Sequence, residues 1–137
     1  MREQNDVVIV DIDGTIAFRG NRNPYDWGNV GNDLPNEPVI KLLMQLEEWN
    51  ELIFVSGRSA ICREETMWWL INQGFNIPSI YMRDQDDYRA DEIVKREIYD
   101  KFISNRDVLC VFDDRNKVVS MWRELGLTCL QVAEGDF

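Results

Sequence analysis

The chain has 137 residues, 45% hydrophobic and 29% charged, the length and make-up of one globular domain with its own core. A net charge of −10 excludes a broad basic face tracking a nucleic-acid backbone, though it leaves room for a local basic pocket. The sequence contains no histidine, so imidazole bases, histidine triads and histidine-ligated metals are excluded together.

In chain order, VVIV at 7–10 reads as a buried strand. Residues 16–35 are rich in Gly, Asn and Pro and show little hydrophobic periodicity. Residues 36–49 read as a helix, with Asn36 as N-cap and Val39, Leu42, Leu43 and Leu46 on one stripe. ELIFV at 51–55 is a second strand, ending at Ser56-Gly57-Arg58. A helix is predicted over 59–73, with Ile61, Trp68 and Ile71 inward and Gly74 as C-terminal cap. SIYM at 79–82 is a short third strand. A helix at 88–103 carries Val94, Ile98 and Phe102 on one stripe. VLCVF at 108–112 is a fourth strand and runs into Asp113-Asp114. Val118, Val119, Trp122 and Leu125 mark a helix that stops at Gly126, and TCLQV at 128–132 is a fifth strand.

No apolar run approaches the ~18 residues of a membrane span, and MREQND lacks the form of a signal peptide. Cys62, Cys110 and Cys129 are odd in number and isolated, the pattern of reduced thiols inside a cell. Strands that are apolar along their length and alternate with helices imply an α/β, Rossmann-like three-layer sandwich around a mostly parallel five-stranded sheet. Ligands of such sheets bind beyond the carboxyl ends of the strands. Those ends read Asp11-Ile-Asp13-Gly-Thr15, Ser56-Gly57-Arg58, Arg83-Asp84 and Asp113-Asp114-Arg115.

Two carboxylates two positions apart at the end of a buried strand repel unless something positive sits with them. Asp11, Asp13, Asp113 and Asp114 are hard oxygen donors on strand ends, which suits Mg²⁺. One carboxylate of such a cluster can attack phosphorus, and a neighbour can protonate the leaving oxygen and then activate water. Ser56, the amides after Asp13 and a lysine would hold the phosphoryl oxygens. Lys95 is the candidate lysine, although Glu92 or Arg96 would serve as well on helical periodicity alone.

This layout resembles the haloacid-dehalogenase superfamily of aspartate-nucleophile phosphohydrolases. The four motifs stand in order: DxDGT at 11–15, LIFVSG with Ser56, Lys95, and Asp113-Asp114. RGNRNPYDW at 19–27, VSGR at 55–58, the 86–103 stretch and the 112–137 stretch are similar to the 3′-phosphatase domains of phage polynucleotide kinase/phosphatases. The resemblance implies removal of a 3′-phosphate, with 2′,3′-cyclic phosphate a further candidate, from DNA or RNA ends. It implies Asp11 as nucleophile, Asp13 as general acid/base, and Mg²⁺ on Asp11, the Asp13 carbonyl and Asp114, with Asp113 in support. Lys95 and Ser56 would bind phosphate, Thr15 and Gly57 would lie at the substrate, and Arg22 and Arg58 would add phosphate or strand contacts. It further implies a cytoplasmic setting in a bacterial or phage-infected cell, beside separate kinase and ligase activities. The oligomeric state stays open, a homo-oligomer included.

The 137 residues contain no Gly-Lys dipeptide and so no kinase phosphate-binding loop of the G-x-x-x-x-G-K-[ST] type. The expectation is therefore a single phosphatase domain over 1–137. A whole cap domain does not fit into 16–35 or between 56 and 95, so an open site under a short flap is expected. Plainer readings exist for each motif. Asp113-Asp114 suits a helix N-terminus. Ser56-Gly57-Arg58 suits a turn, Lys95 a solvated helix face, and Arg22 a loop. Trp27, Trp68 and Trp69 could stack bases, Trp68 reads rather as core on its helical stripe, and none is counted as a site residue. A calcium loop is disfavoured, because DxDG follows a buried strand and lacks the terminal Glu. Two other functions use the same residues: a phosphohydrolase of nucleotides or other small phosphomonoesters, and a non-catalytic binding module.

Overall fold

The computed structural model describes residues 6–137. In chain order the strands are β1 (Asp6–Val10), β2 (Ala17–Phe18), β3 (Leu34–Pro35), β4 (Glu51–Ser59), β5 (Ser79–Arg83), β6 (Asp107–Asp113) and β7 (Cys129–Gln131). The helices are α1 (Glu37–Glu47), α2 (Arg63–Asn72), α3 (Asp91–Ile98) and α4 (Asn116–Glu124). Five strands form one parallel sheet in the order β5-β4-β1-β6-β7. The chain lays down β1, β4 and β5 in one direction, then returns to place β6 on the other side of β1. The switch point of the sheet therefore lies between β1 and β6, where ligands of such sheets bind.

The sheet is covered on both faces because its strands alternate between two cores. Val8, Val10, Leu52 and Phe54 pack with Ile40 and Leu43 of α1 and Trp69 and Leu70 of α2. Val7, Ile9, Ile53 and Val55 pack on the opposite face with Val94 and Ile98 of α3 and with Val118 and Trp122 of α4. This is the expected three-layer sandwich. Residues 16–35 form a two-stranded antiparallel ribbon, β2 with β3, and one stretch of 3₁₀ helix at Trp27–Asn32. Gly74 and Gly126 end α2 and α4 with positive φ, as the sequence predicts. Among the described residues no helix is long and apolar enough to cross a membrane.

Three helical stripes differ from their sequence reading. In α1 the buried residues are Ile40 and Leu43, while Leu42 is exposed. Asn36 does not cap α1 with its side chain; its amide donates to the Thr15 carbonyl at 2.9 Å and ties the helix to the first loop. In the second helix, β4 runs on to Ser59 and a 3₁₀ turn follows, so α2 begins only at Arg63. Cys62, Thr66, Trp69 and Leu70 turn inward, and Ile61 and Trp68 stay exposed. The cause is polar. Trp69 Nε1 donates to the Asp33 carbonyl at 2.8 Å, and Thr66 Oγ1 accepts from Arg58, so a mixed stripe faces inward where apolar periodicity selects another. After α3 the chain continues as a π turn, Tyr99–Ile103, which adds one residue per turn. Ile103 therefore follows Ile98 into the core, and Phe102 stacks on Tyr81 instead, centroids 4.5 Å apart.

The reassigned α2 stripe makes a direct prediction. Trp69→Ala should lower unfolding free energy by ~3–5 kcal/mol in urea titrations, the cost of truncating a buried aromatic. Trp68→Ala, one residue away, should cost under ~1 kcal/mol.

Candidate active site

β1 and β6 are neighbours, and both run into acids. The Asp11 amide donates to the Phe112 carbonyl at 2.9 Å, so strand pairing sets the first carboxylate beside the end of β6. Gly14 then takes a left-handed conformation, φ +80°, over Asp114, and a Cβ there would collide with the Asp114 carboxylate.

Asp11, Asp113 and Asp114 are all buried and offer oxygens within 4.8 Å of one another. Lys95, projecting from α3, is buried rather than solvated. Its Nζ donates to Asp11 Oδ1 at 2.7 Å and to Asp113 Oδ2 at 3.1 Å. Thr15 Oγ1 donates to Asp11 Oδ2 at 2.8 Å. Asp113 is saturated: Oδ1 accepts from the amides of Asp114 and Arg115, and Oδ2 also accepts from Trp122 Nε1 at 3.1 Å. The Asp114 carboxylate takes a long contact from Thr15, 3.4 Å, and no ion pair among the described residues.

Three buried carboxylates thus share one ammonium. Burial opposes the charge on Lys95, but Asp11 and Asp113 outweigh it and hold the ammonium above its ordinary range. Burial, followed by repulsion from Asp113, pushes the Asp11 carboxyl well up, with Lys95 pulling the other way. Burial, chiefly, raises Asp114 too. The residues present fit a small hard cation. Asp11 and Asp114 are buried side by side with negative charge in excess. The Asp13 carbonyl is unused by the turn, whose hydrogen bonds run to the carbonyls of Ile12 and Ala17.

A second network holds Asp13. Its carboxylate is half exposed and takes a bidentate pair from Arg58, Nη2 at 2.8 Å and Nε at 3.0 Å. Arg58 is fully buried and also donates to Asp33, 2.7 Å, and Thr66, 3.1 Å. Arg22 makes its own bidentate pair with Asp33, at 2.8 and 3.0 Å, and approaches Asp13 to 4.0 Å. Asp33 precedes β3, so this network ties the 16–35 segment to the site.

Asp91, the first residue of α3, is the third centre. It pairs with Arg83 and, at 2.9 Å, with Arg115. Burial would raise its carboxyl, but Lys95, Arg83 and Arg115 together hold it below the usual carboxylate range. Gly57 must be glycine here, because a Cβ would lie 2.6 Å from Asp91 Oδ1.

These groups meet at one cavity of about 640 Å³. Asp11, Asp13, Lys95, Asp113 and Asp114 reach it, with Gly57, Arg58 and Arg22, and Phe18, Tyr25, Trp27 and Phe137 contribute aromatic wall. Thr15 and Ser56 are fully buried and do not line it; Thr15 orients Asp11, and Ser56 Oγ accepts from the Arg58 amide at 3.0 Å. Of the tryptophans, Trp27 lines the cavity, Trp69 is core, and Trp68 faces solvent. Sequence reasoning missed Asp33 and Asp91. Asp91 carried a signal, since it lies one helical turn before Lys95. Asp33 carried none, as a single acid in an aperiodic loop.

A parallel sheet with a carboxylate–lysine cluster at its switch point, under a short flap, is the architecture of a haloacid-dehalogenase-type phosphatase. Residues 5–137 match the family of the polynucleotide kinase PNKP phosphatase domain, and the chain belongs to that family. It is 38% identical over 124 residues to a putative bifunctional polynucleotide kinase/RNA ligase of Autographa californica nuclear polyhedrosis virus. That match covers 86% of the chain and 18% of the viral protein. It is also similar to a chain in a structure of the Pnkp1/Rnl/Hen1 RNA repair complex, with 37% identity and a TM-score of 0.93 over 100% of this chain and 46% of that one. A second Pnkp1/Rnl/Hen1 structure gives 40% identity and a TM-score of 0.91 over 97% of this chain and 47% of that one. The class C acid phosphatase of Bacillus anthracis, with tungstate bound, shares the fold at 16% identity and a TM-score of 0.59, over 98% of this chain and 69% of that one. The chain thus spans less than half the length of its nearer relatives in these comparisons.

Excess negative charge at the cluster predicts opposite effects with and without metal. In EDTA, Asp114→Asn should raise Tm by roughly 3–5 °C, the size of ~1 kcal/mol of relieved repulsion in a chain of this length. Mg²⁺ should raise Tm of the unsubstituted protein and leave that of the variant unchanged. A variant that melts lower in EDTA would show that the cluster is already balanced.

Proposed function

We propose that this domain is a Mg²⁺-dependent 3′-phosphatase of DNA or RNA ends, working through an aspartyl-phosphate on Asp11. The observation that carries the reading is the Lys95-bridged cluster of Asp11, Asp113 and Asp114 beside the Arg58-held Asp13, in one open cavity. Family membership supports a phosphatase of polynucleotides.

Asp11 is the nucleophile. One of its carboxylate oxygens attacks phosphorus, forming the acyl-phosphate bond as the bond from phosphorus to the 3′ oxygen breaks. Asp13 gives its proton to that leaving oxygen. It then takes a proton from a water that attacks phosphorus, which frees phosphate and restores Asp11. The bidentate Arg58 pair orients Asp13 for both transfers, and its engaged donors make it a positioning residue more than a phosphate ligand. Lys95 aims Asp11 and opposes the effect of burial on its carboxyl, with Asp113 fixing the ammonium from behind. Asp11, Asp114 and the Asp13 carbonyl would hold Mg²⁺, which when bound neutralises phosphoryl charge. The similarity to a putative polynucleotide kinase/RNA ligase and to a chain of the RNA repair complex supports a role beside kinase and ligase activities, with RNA ends as the first substrate to test.

Phosphate release from a 3′-phosphorylated oligonucleotide, with Mg²⁺ or EDTA, tests the reading. Asp11→Asn should lower turnover by at least ~10³-fold. Asp13→Asn should slow it by ~10²–10⁴-fold while keeping the Mg²⁺-induced Tm shift. Turnover of small phosphomonoesters alone would retain the chemistry and discard the polynucleotide substrate.

A further inference from the structure

The active-site cavity does not end at the terminal phosphate. A second cavity, about 510 Å³, adjoins it and shares five wall residues with it: Tyr25, Trp27, Gly57, Asp91 and Arg115. Both volumes lie in the ~300–1,000 Å³ range of small-ligand sites. The second cavity lies over the loop between β5 and α3, where Tyr88 is 87% exposed and no ring of the described residues stacks on it. Ile61 adds exposed apolar surface on the same wall.

The cations of this wall are mostly spent internally, while Asp86 and Glu92 stand without an ion pair among the described residues. Arg83 and Arg115 are committed to Asp91, and Arg89 is committed to Asp87 and Glu97. Lys117 is the one cation of the wall without an ion pair among the described residues. A track for several phosphates needs a row of unpaired cations. One aromatic face without a ring partner, Tyr88, beside a single free cation instead suits one flat nucleobase and one phosphate.

We propose that the second cavity takes the nucleoside next to the 3′ end, with its base on Tyr88 and the linking phosphate near Lys117. The proposal rests on the polynucleotide reading above and sharpens it. The recognised unit is the last two nucleotides, bound mainly by stacking. The domain would then act on any strand end that frees two residues, and its acidic surface would repel the rest of the polymer.

The test compares 3′-phosphorylated substrates of one, two, three and four nucleotides at two salt concentrations. KM should fall roughly 5- to 150-fold from one nucleotide to two, the range of one stacked base, and stay level beyond two. That gain should change little with salt. Tyr88→Ala should return the two-nucleotide KM to the one-nucleotide value and leave kcat and KM on the one-nucleotide substrate unchanged. Tyr88→Phe should keep the gain. Equal KM for one and two nucleotides would overturn the proposal while the phosphatase reading stands. So would a KM that keeps falling with length and rises steeply with salt, or a Tyr88→Ala enzyme with an unchanged two-nucleotide KM. Absence of phosphate release from every length would instead overturn the polynucleotide reading, and the proposal with it.

Discussion

Everything at this site depends on one electrostatic constraint: three buried carboxylates, Asp11, Asp113 and Asp114, stand within 4.8 Å of one another and share a single buried ammonium. Burying even one unpaired carboxylate is costly, and placing three together adds mutual repulsion. The fold supplies the position. β1 and β6 are paired strands on either side of the sheet's switch point, so their following acids must meet. The fold also supplies the compensation, by carrying Lys95 back over the same edge on α3. The compensation is incomplete, and the incompleteness is what leaves room for a metal and a phosphoryl group.

A second constraint couples that cluster to the flap. Asp13 projects toward solvent, where a free carboxylate would wander among rotamers. Arg58 removes that freedom with a planar, two-bond grip, and Asp33 and Thr66 hold Arg58 in turn. Since Asp33 also holds Arg22, the short segment after β1 is braced by ion pairs rather than by a core of its own. That explains how a Gly- and Asn-rich loop can wall a cavity without becoming a cap domain.

Much of this was legible in the sequence, for physical reasons. Strands buried on both faces must be apolar along their length, so VVIV, ELIFV and VLCVF announced themselves, and the charged residues that ended them had to lie on one edge. The burial of Lys95 was not legible, because a lysine among Glu92, Arg96 and Glu97 has the local pattern of a solvated face; only the acids across the sheet edge make burial tolerable. The α1 stripe is right at Val39, Leu43 and Leu46 and fails only at Leu42, whereas the inward face of α2 departs from apolar periodicity because polar contacts decide its orientation. Trp69 and Thr66 face inward to serve Asp33 and Arg58, and no apolar period encodes that. Phe102 gave way to Ile103 because a π turn shifts phase by one residue, which periodicity of 3.6 cannot anticipate.

The central claim is that Asp11 is the nucleophile of the cluster and carries the phosphoryl group between the two displacements. It is tested most directly by acid-quenching a brief reaction with a ³²P-labelled 3′-phosphorylated oligonucleotide and mapping the label on the protein. The account predicts a hydroxylamine-sensitive label confined to the peptide that contains Asp11. Phosphate release with no protein-bound label at any quench time, and with full turnover retained by Asp11→Asn, would contradict it.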